Sequence, residues 1–277
     1  MPLLLAGAAL AQAPAAPAAC GEVVTVATHD QSTTRFAFAQ PQGTVAPGSA
    51  IALVLLAGGP GHLDLDDKGC AQALKGNSLV RSAPLFNAAG MATALVDAPS
   101  DHHGEDGLGG FRISAQHAED LGKVIAAVRA RTQGAVWLVG TSRGSISAVN
   151  AASRLSGAAA PDGIVLTSAL MAGQPGAKKA WVAHSVFDLA LEAIQVPVLV
   201  VGHSADTCTR SPAGLMGNIT ARTNGAREQV VTVSGGPGAR TAGASLEACE
   251  GRSPHGFAGQ EAEVAAGIVR FVRGGRY

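Results

Sequence analysis

One stretch of the chain has the residue types and spacing for covalent chemistry: Gly140-Thr141-Ser142-Arg143-Gly144, its one Gly-x-Ser-x-Gly. A serine hydroxyl is a weak nucleophile until a neighbouring base draws off its proton, so such a pentapeptide matters only where the backbone presents it. The buried-strand run Ala135 to Val139 leads straight in, and a small-residue helix from Ser145 to Leu155 leads out. Strand, sharp turn and helix put the serine on a strained backbone, and Gly140 and Gly144 let helix and strand approach closely.

The elements that must position this serine are legible from periodicity. Apolar, β-rich runs fall near 22–27, 33–39, 50–57, 91–97, 135–140, 163–168, 196–202 and 228–234. Longer segments of helical period lie between them, an alternation that implies a mostly parallel sheet. The first two runs read as an antiparallel lead-in. Ser114 to Thr132 places Ala118, Leu121, Val124, Ile125 and Val128 on one helical face, as a helix covering a sheet requires. Lys178–Ile194, Pro212–Thr223 and Gly259–Val272 are read as further helices.

Composition narrows the class. The chain has 277 residues, 47% apolar and 14% charged, enough to bury one large core. Its 20 Lys+Arg balance 20 Asp+Glu, and no basic run suggests nucleic acid as a partner. Residues 1–20 read as an export leader: Met1 to Leu10 is apolar and runs into Ala11-Gln12-Ala13, a small-x-small cleavage pattern, although no Lys or Arg precedes Arg35. That run is too short for a membrane span. Four cysteines suit two disulfides in an oxidising compartment, Cys20 with Cys70 and Cys208 with Cys249 by their separations, against the alternative of buried free thiols.

The serine turn between its strand and helix resembles that of the α/β-hydrolase family, and the resemblance runs from the strand near residue 50 to the last helix. It implies a mostly parallel central sheet with helices on both faces, formed by a single domain over residues 21–277. It also implies a triad in the order Ser, acid, His. His255 is the only histidine beyond residue 206. Among the carboxylates between it and Ser142, Asp162 precedes a strand, and Asp188 and Glu192 read as helical. Asp206 follows the run Val196 to Gly202 at a strand's carboxyl edge and is the expected acid. A Cys208–Cys249 bridge would then staple the acid and base loops together.

By the same resemblance, the oxyanion hole pairs the N–H of Arg143 with one from the loop Gly58-Gly59-Pro60-Gly61-His62, which is similar to the His-Gly-Gly-Pro-Gly loop of proline-iminopeptidase-like hydrolases with Ala57 in place of the leading His. Pro60 has no N–H, so Gly59 is the expected donor, with Gly61 or His62 in reserve. Asp97, also at a strand's carboxyl edge, is a rival acid on the wrong side of Ser142. The loops His62 to Asp67 and Asp101 to Asp106 carry His and Asp, but they read as a solvated rim, and neither a metal nor a cofactor is expected.

Only about 27 residues separate the strand ending near Ser168 from Val196, too few for a large cap. By the same resemblance, that implies a relatively open cleft suited to small-molecule or bulky, polymeric esters, with Trp181 and Phe187 as candidate substrate contacts. The reading is an exported serine esterase. An aminopeptidase or amidase, suggested by Gly-Gly-Pro-Gly, is one alternative. A hydrolase-fold binding protein without turnover is another.

Overall fold

The computed structural model describes residues 20–43, 50–237 and 243–277, so the leader read over residues 1–20 lies, but for Cys20, outside the described residues. The strands are β1 (Glu22–Ala27), β2 (Thr33–Ala39), β3 (Ile51–Leu56), β4 (Ala92–Val96), β5 (Ala135–Thr141), β6 (Gly163–Thr167), β7 (Val198–His203) and β8 (Glu228–Val233). They form one sheet in the order β1-β2-β4-β3-β5-β6-β7-β8. β1 and β2 pair antiparallel with each other, as does β2 with β4, and every other pairing is parallel.

The helices are α1 (Ser78–Ala88), α2 (Ala115–Thr132), α3 (Gly144–Arg154), α4 (Gly217–Thr220) and α5 (Glu261–Val272). Successive side chains of a strand point to opposite faces, and here both faces are covered. Ala52, Val54 and Leu56 of β3 share a core with Leu121, Val124 and Ile125 of α2 and with Ile146 and Val149 of α3. Leu53 and Leu55 belong to the opposite core, with Phe86 of α1 and Ile268 and Phe271 of α5. This is the doubly covered, mostly parallel α/β architecture that the sequence implies.

Two expected helices are corrected. Lys178–Ile194 is broken into short 3-10 turns at Ala180–Ala183, Val186–Asp188 and Leu191–Ala193. Ser185 restarts the chain as the N-cap of a capping box with Asp188, and the carbonyl of Val182 turns out to accept from Gln174 N–H and from Arg210. In Pro212–Thr223, Gly214 and Gly217 lower helix propensity, and only a 3-10 turn at Ala213–Leu215 and the four residues of α4 form. Helix α1 was not anticipated, because Pro84 within it reads as a breaker. No cap domain stands between β6 and β7.

Candidate active site

β3 and β5 are neighbours in the sheet and β7 lies one strand further on, beyond β6; the loops at the carboxyl ends of these three strands carry the candidate residues. Ser142 follows β5 with φ of 50°, a left-handed backbone that a non-glycine residue adopts only where its surroundings enforce it. The enforcement is visible. Ser142 N–H donates to the carbonyl of Thr167, and its own carbonyl accepts from Ser145 N–H and from Ser145 Oγ at 2.6 Å. A Cβ on Gly140 would fall 2.4 Å from the Gly144 carbonyl oxygen, and one on Gly144 would fall 2.0 Å from that of Leu56, so neither position has room for a side chain.

Asp206 sits just past β7, where its N–H donates to the His203 carbonyl. Its Oδ1 accepts from Cys208 N–H and its Oδ2 lies 2.9 Å from His255 Nδ1. The two side chains are only 2% and 3% exposed. With Nδ1–H given to the carboxylate, Nε2 is left with its lone pair. That atom is buried with no hydrogen-bond partner among the described residues. His255 and Ser142 line the same open cleft of about 390 Å³, together with Gly58, Gly59, Leu74 and Asn77.

Side chains that sequence reasoning did not single out hold these residues in place. Ser253 Oγ accepts the N–H of His255, and Ser168 Oγ donates to its carbonyl at 2.7 Å. Arg81 of α1 donates to the carbonyls of Gly76, Gly251 and Gly256 and pairs with Glu261, tying the His255 loop to α5. Buried His203 accepts Ala205 N–H at Nδ1, so its Nε2–H is free to donate to Gln260 and to the Gly235 carbonyl. The contacts of Ser168 to His255, of Arg81 to Gly251 and Gly256, and of His203 to Gln260 join residues far apart in the chain and so have no local sequence signal.

Gly59 has φ of +57°, and neither its N–H nor that of Arg143 donates to any group among the described residues. Cys208 and Cys249 are bonded, as are Cys20 and Cys70. The first bridge joins the loop of Asp206 to the segment before His255. The second ties the start of β1 to the loop after β3. Asp97 is used otherwise than as an acid: its carboxylate accepts from the N–H groups of Leu63, Leu65 and Ala98 and so shapes that same loop.

The two expected substrate contacts are not among the residues that line this cleft. Trp181 does not line the cleft but stacks on the Arg143 guanidinium, 4.1 Å from ring centre to Cζ. Phe187 borders a separate depression with Asn218, Ala221 and Arg222, because the capped turn that carries it packs on the α2/α3 core. Arg143 has no carboxylate partner among the described residues. Burial first, then the charge of Arg210, presses it down to about 10.

Two groups of side chains bring potential metal-ligand atoms within 4.8 Å of one another: His29, Asp101 and His102, and His62, Asp97 and His103. Their polar atoms are largely committed. His29 is hydrogen-bonded to both Asp120 and Asp101, and Asp97 holds three backbone N–H groups. In a third group, Asp206 and His255 meet Cys208, whose sulfur is in a disulfide.

No protein-family model matches the chain, and no curated protein matches it in sequence. Solved structures match its fold. DcsB, solved with a substrate analogue, aligns with a TM-score of 0.58 at 18% identity, covering 91% of this chain and 98% of its own. An esterase from the Planctomycetes species Thermogutta terrifontis aligns at 0.56 and 14% identity, covering 91% and 92%. An alpha-beta serine hydrolase homologue from Coxiella burnetii aligns at 0.54 and 18% identity, covering 91% and 97%. The chain has the α/β-hydrolase fold.

Proposed function

We propose that the protein is a serine hydrolase that cleaves carboxylic esters through an acyl-enzyme, with Ser142 as nucleophile, His255 as base and Asp206 as the group that orients it. The observation that carries this reading is the buried 2.9 Å pair of Asp206 and His255, whose unpartnered Nε2 belongs to a residue lining one cleft with the strained Ser142. Fold neighbours described as an esterase and as a serine hydrolase homologue support the same class.

In this mechanism Ser142 Oγ attacks the ester carbonyl as its proton passes to His255 Nε2. Asp206 holds the ring in the tautomer that can accept it and stabilises the imidazolium. The N–H groups of Gly59 and Arg143 receive the oxyanion, each such donor being worth about 3 to 4 kcal/mol in the transition state. Collapse expels the alcohol, which takes the proton from His255. Water then repeats the sequence on the acyl-serine and releases the acid.

The cleft is open, with Gly58, Gly59, Gly76, Gly251 and Gly256 among its lining residues, so it suits esters that lie across the sheet edge rather than thread a tunnel. Two disulfides fit a protein working outside the reducing cytosol. None of the described helices is long and apolar enough to cross a membrane. The test is turnover of p-nitrophenyl acetate and butyrate by wild type and Ser142→Ala, with fluorophosphonate labelling of Ser142. A folded Ser142→Ala protein that keeps wild-type turnover overturns the assignment. Faster cleavage of proline naphthylamide than of butyrate would move it to the peptidases.

A further inference from the structure

Four successive carbonyls of the loop after β3 are all engaged, and their partners come mostly from one short segment. Pro60 O accepts from Leu108 N–H at 2.8 Å, and Gly58 O from Gly61 N–H at 3.2 Å. Ala57 O and Gly59 O both accept from Arg112 Nη2, at 3.0 and 3.3 Å. The Gly59 N–H belongs to the peptide between residues 58 and 59. Arg112 therefore grips the peptides on either side of it, while the Gly58–Gly61 turn grips the peptide itself. Glycine at 58 and 59 leaves this backbone otherwise free to rotate.

Arg112 is an unusual residue to find here. It is 2% exposed and makes no ion pair with a carboxylate among the described residues. Burial, and then the charge of Arg143, press it down to about 9. A buried unpaired cation costs stability relative to an apolar side chain of similar size, so its retention calls for a use beyond filling space. Its setting is built. Nη1 donates to Ser147 Oγ at 2.7 Å, and Ser147 Oγ lies 2.8 Å from His117 Nε2. Burial, and then Arg112, hold His117 well below its ordinary value and so neutral. The Ser147 proton can then go to Nε2, leaving an oxygen lone pair for Arg112. Asn150 Nδ2 fixes the Arg112 carbonyl at 3.0 Å. The guanidinium lies so close beneath the loop that a Cβ on Gly61 would fall 2.6 Å from Nη2.

We propose that Arg112 is a positioning residue for the oxyanion hole, aiming the Gly59 N–H by clamping the carbonyls of Ala57 and Gly59 from the side of the loop away from the cleft. The inference rests on the serine-hydrolase reading above. Ala57 and Gly61 border a small interior cavity with Arg112, whereas Gly58 and Gly59 border the cleft, so the loop separates the two. Arg112 touches no substrate. It acts through the peptide it orients, and its loss should weaken transition-state binding without weakening ground-state binding.

The test compares wild type with Arg112→Lys and Ser147→Ala on p-nitrophenyl acetate, reading kcat and KM separately, alongside inhibition by a short alkyl boronic acid that forms a tetrahedral anion on the serine. Folding is checked by thermal unfolding. A donor displaced rather than deleted should cost Arg112→Lys about tenfold or more in kcat, with KM within about threefold of wild type. Boronate affinity should fall by the same factor as kcat/KM. A folded Arg112→Lys enzyme with kcat within about twofold of wild type, or with unchanged boronate affinity, overturns the proposal. If that variant does not fold, Ser147→Ala decides by the same split, with an expected loss of about threefold or more in kcat. A wild-type protein that neither turns over esters nor labels at Ser142 sinks the underlying reading and this inference with it. Normal wild-type turnover with indifferent variants sinks the inference alone.

Discussion

Asp206 and His255 are 49 residues apart in the chain and share a 2.9 Å hydrogen bond that is almost wholly withdrawn from water. The carboxylate is itself anchored, because its second oxygen accepts Cys208 N–H. Replacing Asp206 by Asn keeps the shape but offers an amide N–H to a ring nitrogen that must itself donate, which favours the wrong tautomer. On the proposed mechanism, kcat for p-nitrophenyl acetate falls about 10³- to 10⁴-fold with little change in KM or in thermal stability. Turnover within about tenfold of wild type would remove Asp206 from the mechanism.

The two disulfides should behave differently in function although they close loops of similar length, with sequence separations of 41 and 50. Each is worth about 4 kcal/mol as an upper figure in the chain-entropy model. Cys208–Cys249 links the loop of Asp206 to the segment leading into His255, and Cys20–Cys70 links the start of β1 to the loop after β3. Paired serine substitutions at Cys208 and Cys249 should lower both the urea midpoint and kcat, the latter about fivefold or more. The same change at Cys20 and Cys70 should lower the midpoint and leave kcat within about twofold. Equal effects of the two pairs on kcat would show that the first bridge has no special bearing on the site.

Strand positions were legible because the central strands are largely apolar runs and the outer strands β1, β2 and β8 are β-rich, each flanked by turn residues, and all eight strands stand where those segments fall. The candidates Ser142, Asp206 and His255 are pointed to by a strand-turn-helix and by the chain order that the family resemblance implies, and the folded chain brings Asp206 against His255. The supporting residues were not legible. Arg112 looks like any polar residue in a Gly-rich segment, and only the folded chain shows that it lies under the Ala57 and Gly59 carbonyls, more than 50 residues earlier in the sequence. Trp181 and Phe187 show the converse. Their aromatic character and the short interval suggest a pocket, and the folded chain gives them a cation stack and core packing.

Gly144 should tolerate no side chain. A methyl group there would lie 2.0 Å from the carbonyl oxygen of Leu56 and 3.0 Å from that of Ala57, at the junction of the Ser142 turn and the loop after β3. Gly144→Ala should cost about 3 kcal/mol or more by forcing backbone apart, and the protein that still folds should have lost most of its turnover. Gly214→Ala is the control, because a Cβ there meets nothing within 4 Å. It should change the urea midpoint little. A Gly144→Ala protein as stable as Gly214→Ala would show that β5 and α3 have slack the geometry does not suggest.

His29, in the turn between β1 and β2, gives the fold a dependence on pH. Burial is the largest influence on it and pushes its pKa down, but hydrogen bonds to Asp120 and Asp101, with the charges of both, outweigh burial and leave it raised above 6.5. His102 and the Phe111 ring also face it, and Lys123 stands beside Asp120. A raised folded value means that the folded protein holds this proton more tightly than the unfolded chain does. The stability it contributes is fully present below about pH 6.5, the value of the free side chain, and is lost as pH rises through the folded value. The urea midpoint should therefore decline as pH rises above about 6.5 through the folded value, and His29→Gln should flatten that decline while lowering the midpoint most on its acid side. Histidine titration by NMR is the direct check. A His29 ring that titrates at or below the value of a free imidazole would mean that burial wins over the two carboxylates, and the slope should then reverse.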